Sequence, residues 1–161
     1  MSAAVLEPLA LREVFAAYPS GVVAVAARLE GRLVGMAASS FTSVSLSPPL
    51  VSLCVARESR TWRELRRARR LGLSVLGDRH EDACRQLAAR SGDRFAGLSC
   101  REGDAGAVLI DDAAAHLECS VKRTVDAGDH LLVLLRVHRL SAEPTVAPLV
   151  FHGSRYRRLA D

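Results

Sequence analysis

Strand-forming runs follow one another along this chain, separated by turn residues, and do not alternate with long helical stretches. Gly21 to Ala27 is rich in valine, and a Glu30-Gly31 turn leads from it into Arg32 to Val44, so the two runs predict a hairpin. Pro48 and Pro49 are expected to break that pairing ahead of a buried strand over Leu50 to Ala56. Leu71 to Leu76 predicts a further strand. Ala113 to Val125 and His130 to Leu140 predict a long hairpin turning at Asp126 to Asp129, and Leu149 to His152 with Arg155 to Leu159 a short closing pair. Helical signals are few. Leu9, Leu11, Val14, Phe15 and Tyr18 fall at helical spacing, ended by Pro19 and Gly21. Thr61-Trp62-Arg63-Glu64 has the form of a capping box and predicts a helix from Thr61, and Glu81 to Arg90 predicts another. Strands that follow strands argue against a doubly wound parallel sheet and for a mainly β, mostly antiparallel barrel with short helices at its edges.

Several classes are set aside by length, charge and spacing. At 161 residues, without a repeat, a low-complexity tract or a linker, the chain reads as one domain with its core over about residues 9–159. The longest uncharged stretch, Leu33 to Ala56, is broken by Ser39, Ser40, Thr42, Ser43, Ser45, Ser47 and two prolines, so a membrane span is not expected. Met1 to Leu11 lacks a basic leader and meets Glu7 and Pro8 early, which makes the cytoplasm the expected location. The formal charge is +4, carried almost wholly by arginine because Lys122 is the only lysine. The densest basic run, Arg60 to Arg70, holds Trp62 as its single aromatic residue, and a chain with 4% aromatics lacks the stacking platforms of a nucleic-acid binder. That run reads as a solvated helical face. Cys54, Cys84, Cys100 and Cys119 form no Cys-x-x-Cys pair and read as reduced thiols rather than metal ligands, with Cys54 and Cys119 expected to be buried. His116, Glu118, Ser120 and Lys122 share one face of a strand and read as solvated. His80, beside Glu81 and Asp82, reads as a helix start.

Two neighbouring segments carry the candidate chemistry. Met36, Ala37, Ala38, Ser39, Ser40 and Phe41 put small residues at the end of a strand, where a flat ring can approach the backbone and short polar groups can meet its edge. Such a run also suits plain packing against a helix. Arg57, Ser59, Arg60 and Thr61 lie just ahead of the capped helix and gather hydroxyls, free amides and cations at one point, the makings of an anion site. The same hydroxyls also serve as ordinary caps. Together the two segments suggest a mononucleotide such as FMN, or the FMN half of FAD, and no Gly-x-Gly-x-x-Gly or P-loop device is present to hold one otherwise.

The chain resembles the flavin reductase family with an FMN-binding split barrel. The likeness runs from Gly21-Val22-Val23 through Gly35 to Val51 and Ser59-Arg60-Thr61-Trp62. It continues with Asp93-Arg94-Phe95-Ala96-Gly97, Ala115 to Cys119, Gly128-Asp129-His130, and Pro148 to Gly153 with Tyr156, all in the family's order. It is similar above all to the small reductase components of two-component aromatic, phenolic, steroid-ring and polyketide monooxygenases. The resemblance implies a homodimer and an NAD(P)H-dependent flavin reductase of the EC 1.5.1 type. NADH or NADPH would reduce FMN or FAD, and the reduced flavin would serve a separate monooxygenase. By position, Met36 to Phe41 would line the flavin ring and its side chain, Arg57, Ser59, Arg60 and Thr61 would hold phosphate, and Asp93, Arg94 and Phe95 would form a loop near the flavin. His130, His152 and Tyr156 would border the nicotinamide, a metal is not expected, and direct hydride transfer requires no obligatory catalytic residue. Where the family commonly has threonine this chain has Ala37. A flavin-holding electron carrier on the same barrel, without a productive nicotinamide site, is the alternative.

Overall fold

The computed structural model describes residues 6–160. Helix α1 (Pro8–Ala16) leads into strands β1 (Ser20–Gly21), β2 (Val23–Leu29), β3 (Arg32–Ala38), β4 (Thr42–Leu46) and β5 (Pro49–Ala56). Helix α2 (Arg60–Leu65), strand β6 (Leu71–Val75), helix α3 (Glu81–Leu87) and strands β7 (Cys100–Glu102) and β8 (Val108–Ile110) follow. The long strands β9 (Ala115–Ala127) and β10 (His130–Ala142) and the short β11 (Val150–His152) and β12 (Arg155–Arg157) complete the chain.

Seven strands form one antiparallel sheet in the order β3-β2-β6-β9-β10-β5-β4. Its two ends share a single core. Val25, Val34 and Ala38 from one end cluster with Val51, Leu53 and Val55 from the other, and Leu73, Val133 and Leu135 from the middle complete the cluster, so the sheet curls into a barrel. The barrel does not close through a continuous backbone ladder. At the seam the Ser40 hydroxyl donates to the Cys54 carbonyl at 2.8 Å and accepts from the Cys54 amide at 2.9 Å, so a side chain stands in for a missing ladder pair. A second core lies outside the barrel, where the other face of β2 packs with Leu76, Cys84 and Leu87 around α3 and with Phe95, Val108 and Leu149. At its centre β8 crosses β6 so closely that a Cβ at Gly72 would run into the backbone of Val108.

Several sequence expectations change in the structure, the first being that the run Arg32 to Val44 divides into β3 and β4. Pro48 and Pro49 do not end the pairing: Pro48 lies in a tight turn with Ser47, and Pro49 opens β5 opposite Leu46, so that β4 and β5 form a hairpin. Helix α2 begins at Arg60 and is capped by Ser59, whose Oγ accepts from the Trp62 amide at 3.1 Å; Glu64 turns away to pair with Arg32 at 2.9 Å. Cys54 is exposed, because Leu53 and Val55 take the inward positions of β5 and strict alternation sends the residue between them out. His116 and Glu118 are buried rather than solvated. The β7–β8 region covers them, so that His116 Nε2 meets the Ile110 carbonyl at 2.7 Å and Glu118 accepts from the Asp104 amide at 3.0 Å. No helix among the described residues is long and apolar enough to cross a membrane.

Candidate functional site

The end of β3 carries the run of small residues, and the chain around it shapes a cavity. Ala37, Ala38 and Ser39 form one wall of a space of about 140 Å3, faced by Phe151 and Tyr156 from the β11–β12 hairpin and floored by Cys84. The ring pair Phe151–Tyr156 is tilted, with centroids 5.4 Å apart. Tyr156 is further fixed by its hydroxyl, 3.1 Å from Cys84 Sγ, and by the Arg85 guanidinium 4.7 Å above its ring. Burial above all, and then the Cys84 contact, push the Tyr156 hydroxyl up to about 12, so it stays a neutral group at the cavity wall.

The start of α2 meets the same strand further back, at Gly35, where Thr61 and Arg94 line a separate space of about 250 Å3. Ser59 Oγ accepts from the Trp62 amide and Thr61 Oγ1 accepts from Arg94 Nη1 at 2.9 Å, so each hydroxyl uses its oxygen internally and keeps its proton to donate. That polarity suits an anion. Ser40 is the opposite case, since its proton is already given to Cys54 at the barrel seam. The Arg94 guanidinium bonds the Gly35 carbonyl at 3.0 Å and the Ala89 carbonyl at 2.9 Å as well as Thr61, and so ties the loop, β3 and α2 into one unit. Asp93 Oδ1 accepts from the Phe95 amide at 2.9 Å, and Phe95 is buried in the second core against Gly35, where a Cβ would lie 2.5 Å from its ring. Arg60 enters no ion pair among the described residues.

The remaining residues singled out from the sequence divide between the cavity and its surroundings. Met36 and Phe41 pack against the barrel core. Arg57 turns to the β9–β10 turn, where it pairs with Asp126 at 2.9 Å and donates to the Gly128 carbonyl at 3.1 Å. His130, opposite Ala56 in the ladder, has its Nδ1 2.7 Å from the Asp129 carboxylate. That bond, more than any other interaction, holds the Asp129 carboxyl below its ordinary range. His152 closes β11 opposite Arg155. Among the described residues no hydrogen bond links His130 to His152 or Tyr156, which belong to a different sheet.

Cys84, Phe151 and Val22 are cavity residues that sequence reasoning passed over. Their one signal was the apolar spacing of the helix and strand that carry them. Three larger cavities, about 420 Å3 beside His116 and Glu118, about 620 Å3 beside Asp78 to His80 and about 250 Å3 beside Thr61 and Arg94, share no lining residue with this one. In the first of them Arg101 and Arg139 are already paired with Asp111 and Asp104. No metal-binding cluster occurs among the described residues.

A split antiparallel barrel with a small-residue wall, an aromatic pair across from it and hydroxyls at the start of α2 has the features that suit a flat ring and an anion. Comparison with known proteins agrees with that reading. The flavin reductase like domain family matches residues 15–160. The chain is 37% identical over 152 residues to a flavin reductase of Pseudomonas putida, covering 94% of this chain and 89% of that one. It is 31% identical over 156 residues to the reductase subunit HsaB of a flavin-dependent monooxygenase of Rhodococcus jostii, covering 97% and 80%. Among solved structures, the Streptomyces globisporus NADH:FAD oxidoreductase SgcE6, in complex with NAD and FAD fragments, superposes with a TM-score of 0.91 at 38% identity, covering 98% of each chain. This chain belongs to the flavin reductase like domain family.

Proposed function

We infer that the protein is an NADH-dependent flavin reductase that passes reduced flavin to a separate monooxygenase. The observation that carries this reading is the cavity between Ala37–Ser39 and the Phe151–Tyr156 pair, on the strand that Arg94 ties to the start of α2, where two hydroxyls donate to no acceptor among the described residues. The residues fit a flavin. Small side chains leave the strand end open to a planar ring, and Ser59 and Thr61 have the donor polarity a phosphate needs. A bound flavin would supply the ring that accepts a hydride from a nicotinamide. The chain itself aligns and shields, which accounts for the absence of an obligatory acid–base pair from this reading.

The roles then follow from the contacts. Ala37, Ala38 and Ser39 form the ring platform, with Met36, Ser40 and Phe41 supporting it from the barrel side. Ser59 and Thr61 donate to the phosphate, Arg60 adds an unpaired cation, and Arg94 is a positioning residue that sets the Thr61 hydroxyl, with Asp93 and Phe95 bracing its loop. Arg57 anchors the hairpin that presents His130. With Nδ1 bonded to Asp129, His130 keeps Nε2 for a carboxamide, while Tyr156 lines the ring cavity and His152 lies beside it on β11. The expected assembly is a homodimer and the expected location the cytoplasm.

NADH and NADPH oxidation followed at the nicotinamide absorbance band, with and without FMN, FAD or riboflavin, tests the reading. Flavin-dependent turnover is the expected result. Flavin binding without turnover would replace the reductase by an electron carrier, and absence of both would overturn the flavin site.

A further inference from the structure

Strand β9 buries a carboxylate that the function proposed above does not use. Glu118 is 8% exposed and enters no ion pair among the described residues. The acidic groups around it are matched: Glu102 pairs with Arg28, Asp111 with Arg101 at 2.7 Å and Asp104 with Arg139 at 2.8 Å. Glu118 Oε2 accepts from the Asp104 amide at 3.0 Å, whereas Oε1 meets no donor among the described residues and opens onto the cavity of about 420 Å3. A buried carboxylate with half of its acceptor capacity unused is costly unless a ligand completes it. We propose that this cavity binds a free α-amino acid with an aliphatic side chain, its ammonium group on Glu118 and its carboxylate on Arg139.

The backbone holds two opposite charges apart that the sheet register would otherwise pair. Arg139 stands directly opposite Glu118 in the β9–β10 ladder, where oppositely charged side chains ordinarily meet across strands. Asp104 takes both of them: its amide donates to Glu118 and its carboxylate accepts from Arg139 Nη1. The loop that carries Asp104 is shaped for this. Ala105 adopts left-handed backbone at φ 50°, and Gly103 lacks the Cβ that would strike Glu118 Oε1. Each charge is left with unused groups toward the cavity, Oε1 of Glu118 as an acceptor and Nε and Nη2 of Arg139 as donors.

A zwitterion is the occupant that uses both. A simple ammonium ion would leave the Arg139 donors unmet, and a simple carboxylate would leave Glu118 as it is. His116, the other buried polar group of the cavity, is already engaged by the protein, with Nε2 2.7 Å from the Ile110 carbonyl and Nδ1 3.4 Å from Arg101 Nη2. Leu109 and Leu140 supply the apolar part of the lining, where an aliphatic side chain can rest. The volume falls within the roughly 300–1,000 Å3 typical of small-molecule sites. Because this cavity shares no lining residue with the ring cavity, the assignment stands apart from the reductase reading.

L-leucine is the probe, measured by calorimetry beside isopentylamine, which keeps only its ammonium group, and isocaproate, which keeps only its carboxylate. L-leucine should bind at least about tenfold more tightly than either, since each half-ligand gives up one charge-assisted contact. Glu118→Gln keeps an oxygen for the Asp104 amide and removes the charge, so it should weaken L-leucine about tenfold without weakening isocaproate. Asp104→Ala touches neither binding group but frees Arg139 to pair with Glu118, and it should weaken L-leucine by a similar factor. The Asp104 side chain is 62% exposed, so this second variant should fold even where a change at the buried Glu118 does not. No binding of L-leucine by the parent protein overturns the proposal. So does isopentylamine or isocaproate binding as tightly as L-leucine, or an L-leucine affinity that neither variant moves.

Discussion

Thr61→Val keeps the shape of the side chain and removes one hydroxyl, to which the structure gives one partner and the proposed function a second. Toward the protein, Thr61 Oγ1 accepts from Arg94 Nη1 at 2.9 Å. A hydrogen bond to a charged group contributes about 1.5–3 kcal/mol. Arg94 is not orphaned by the change, because Nη1 keeps the Gly35 carbonyl at 3.0 Å and Nε keeps the Ala89 carbonyl at 2.9 Å. The net loss of stability is therefore about 1 kcal/mol, a fall in Tm of roughly 2–4 °C for a chain of this size. Toward the ligand, the proton that Thr61 would give to a phosphate disappears. One charge-assisted bond of about 1.5–2 kcal/mol corresponds to roughly 10- to 30-fold weaker FMN binding. Riboflavin has no phosphate and separates the two jobs, so its affinity should move by less than about twofold. Fluorescence titration of both flavins on one variant, with a melting curve, reads both effects. An equal loss for FMN and riboflavin would refute the phosphate assignment and leave Thr61 only as an anchor for Arg94.

Three further outcomes rest on the scaffold. Gly72→Ala drives a Cβ into the Val108 backbone where β8 crosses β6, and chemical denaturation should show a loss of at least about 2–3 kcal/mol. Ser40→Ala strips both hydrogen bonds from the Cys54 backbone at the barrel seam; it should cost about 1–3 kcal/mol and speed hydrogen exchange at the Cys54 amide, and an unchanged exchange rate would mean that the seam is held by other contacts. Burial, the largest influence on it, pushes the Cys119 thiol from 9.0 up to about 12. Unfolded, the same thiol ionises near its ordinary value, so between those limits the unfolded state binds fewer protons and stability falls as pH rises, by up to about 1.4 kcal/mol per pH unit from this group. The contribution is fully present below the lower limit. Urea midpoints across the alkaline range should fall less steeply for Cys119→Ala than for the parent protein.

How far the sequence could be read depended on whether a residue's role was settled by its neighbours along the chain or across it. The Glu30-Gly31 hairpin was legible because both residues adopt left-handed backbone, at φ 50° and 77°, and the valine-rich run beside them fixes which face goes inward. The β9–β10 hairpin was legible for the same local reason. The helix cap was displaced by two residues, since Ser59 and Thr61 both have capping chemistry and only the position of Arg94, far along the chain, assigns Thr61 to another partner. Burial of His116 and Glu118 was invisible because β7, β8 and the segment between them, which cover that face, carry almost no strand pattern of their own.

The small-residue run Ala37-Ala38-Ser39 and the hydroxyls at Ser59 and Thr61 are given by the residues themselves, since side-chain size and donor chemistry do not depend on the fold. Which hydroxyl is free to meet a ligand was decided only by tertiary structure. Ser40, Ser59 and Thr61 are alike in the sequence, and folding gives the Ser40 proton to the barrel seam while leaving those of Ser59 and Thr61 free. Tertiary structure likewise brought Phe151, Tyr156 and Cys84 to face Ala37. The physical reason is common to both. A hydrogen bond or a cavity wall needs two partners within a few ångströms of each other, and for Ser40 with Cys54, Thr61 with Arg94 or Ala37 with Phe151 only the folded chain supplies that distance.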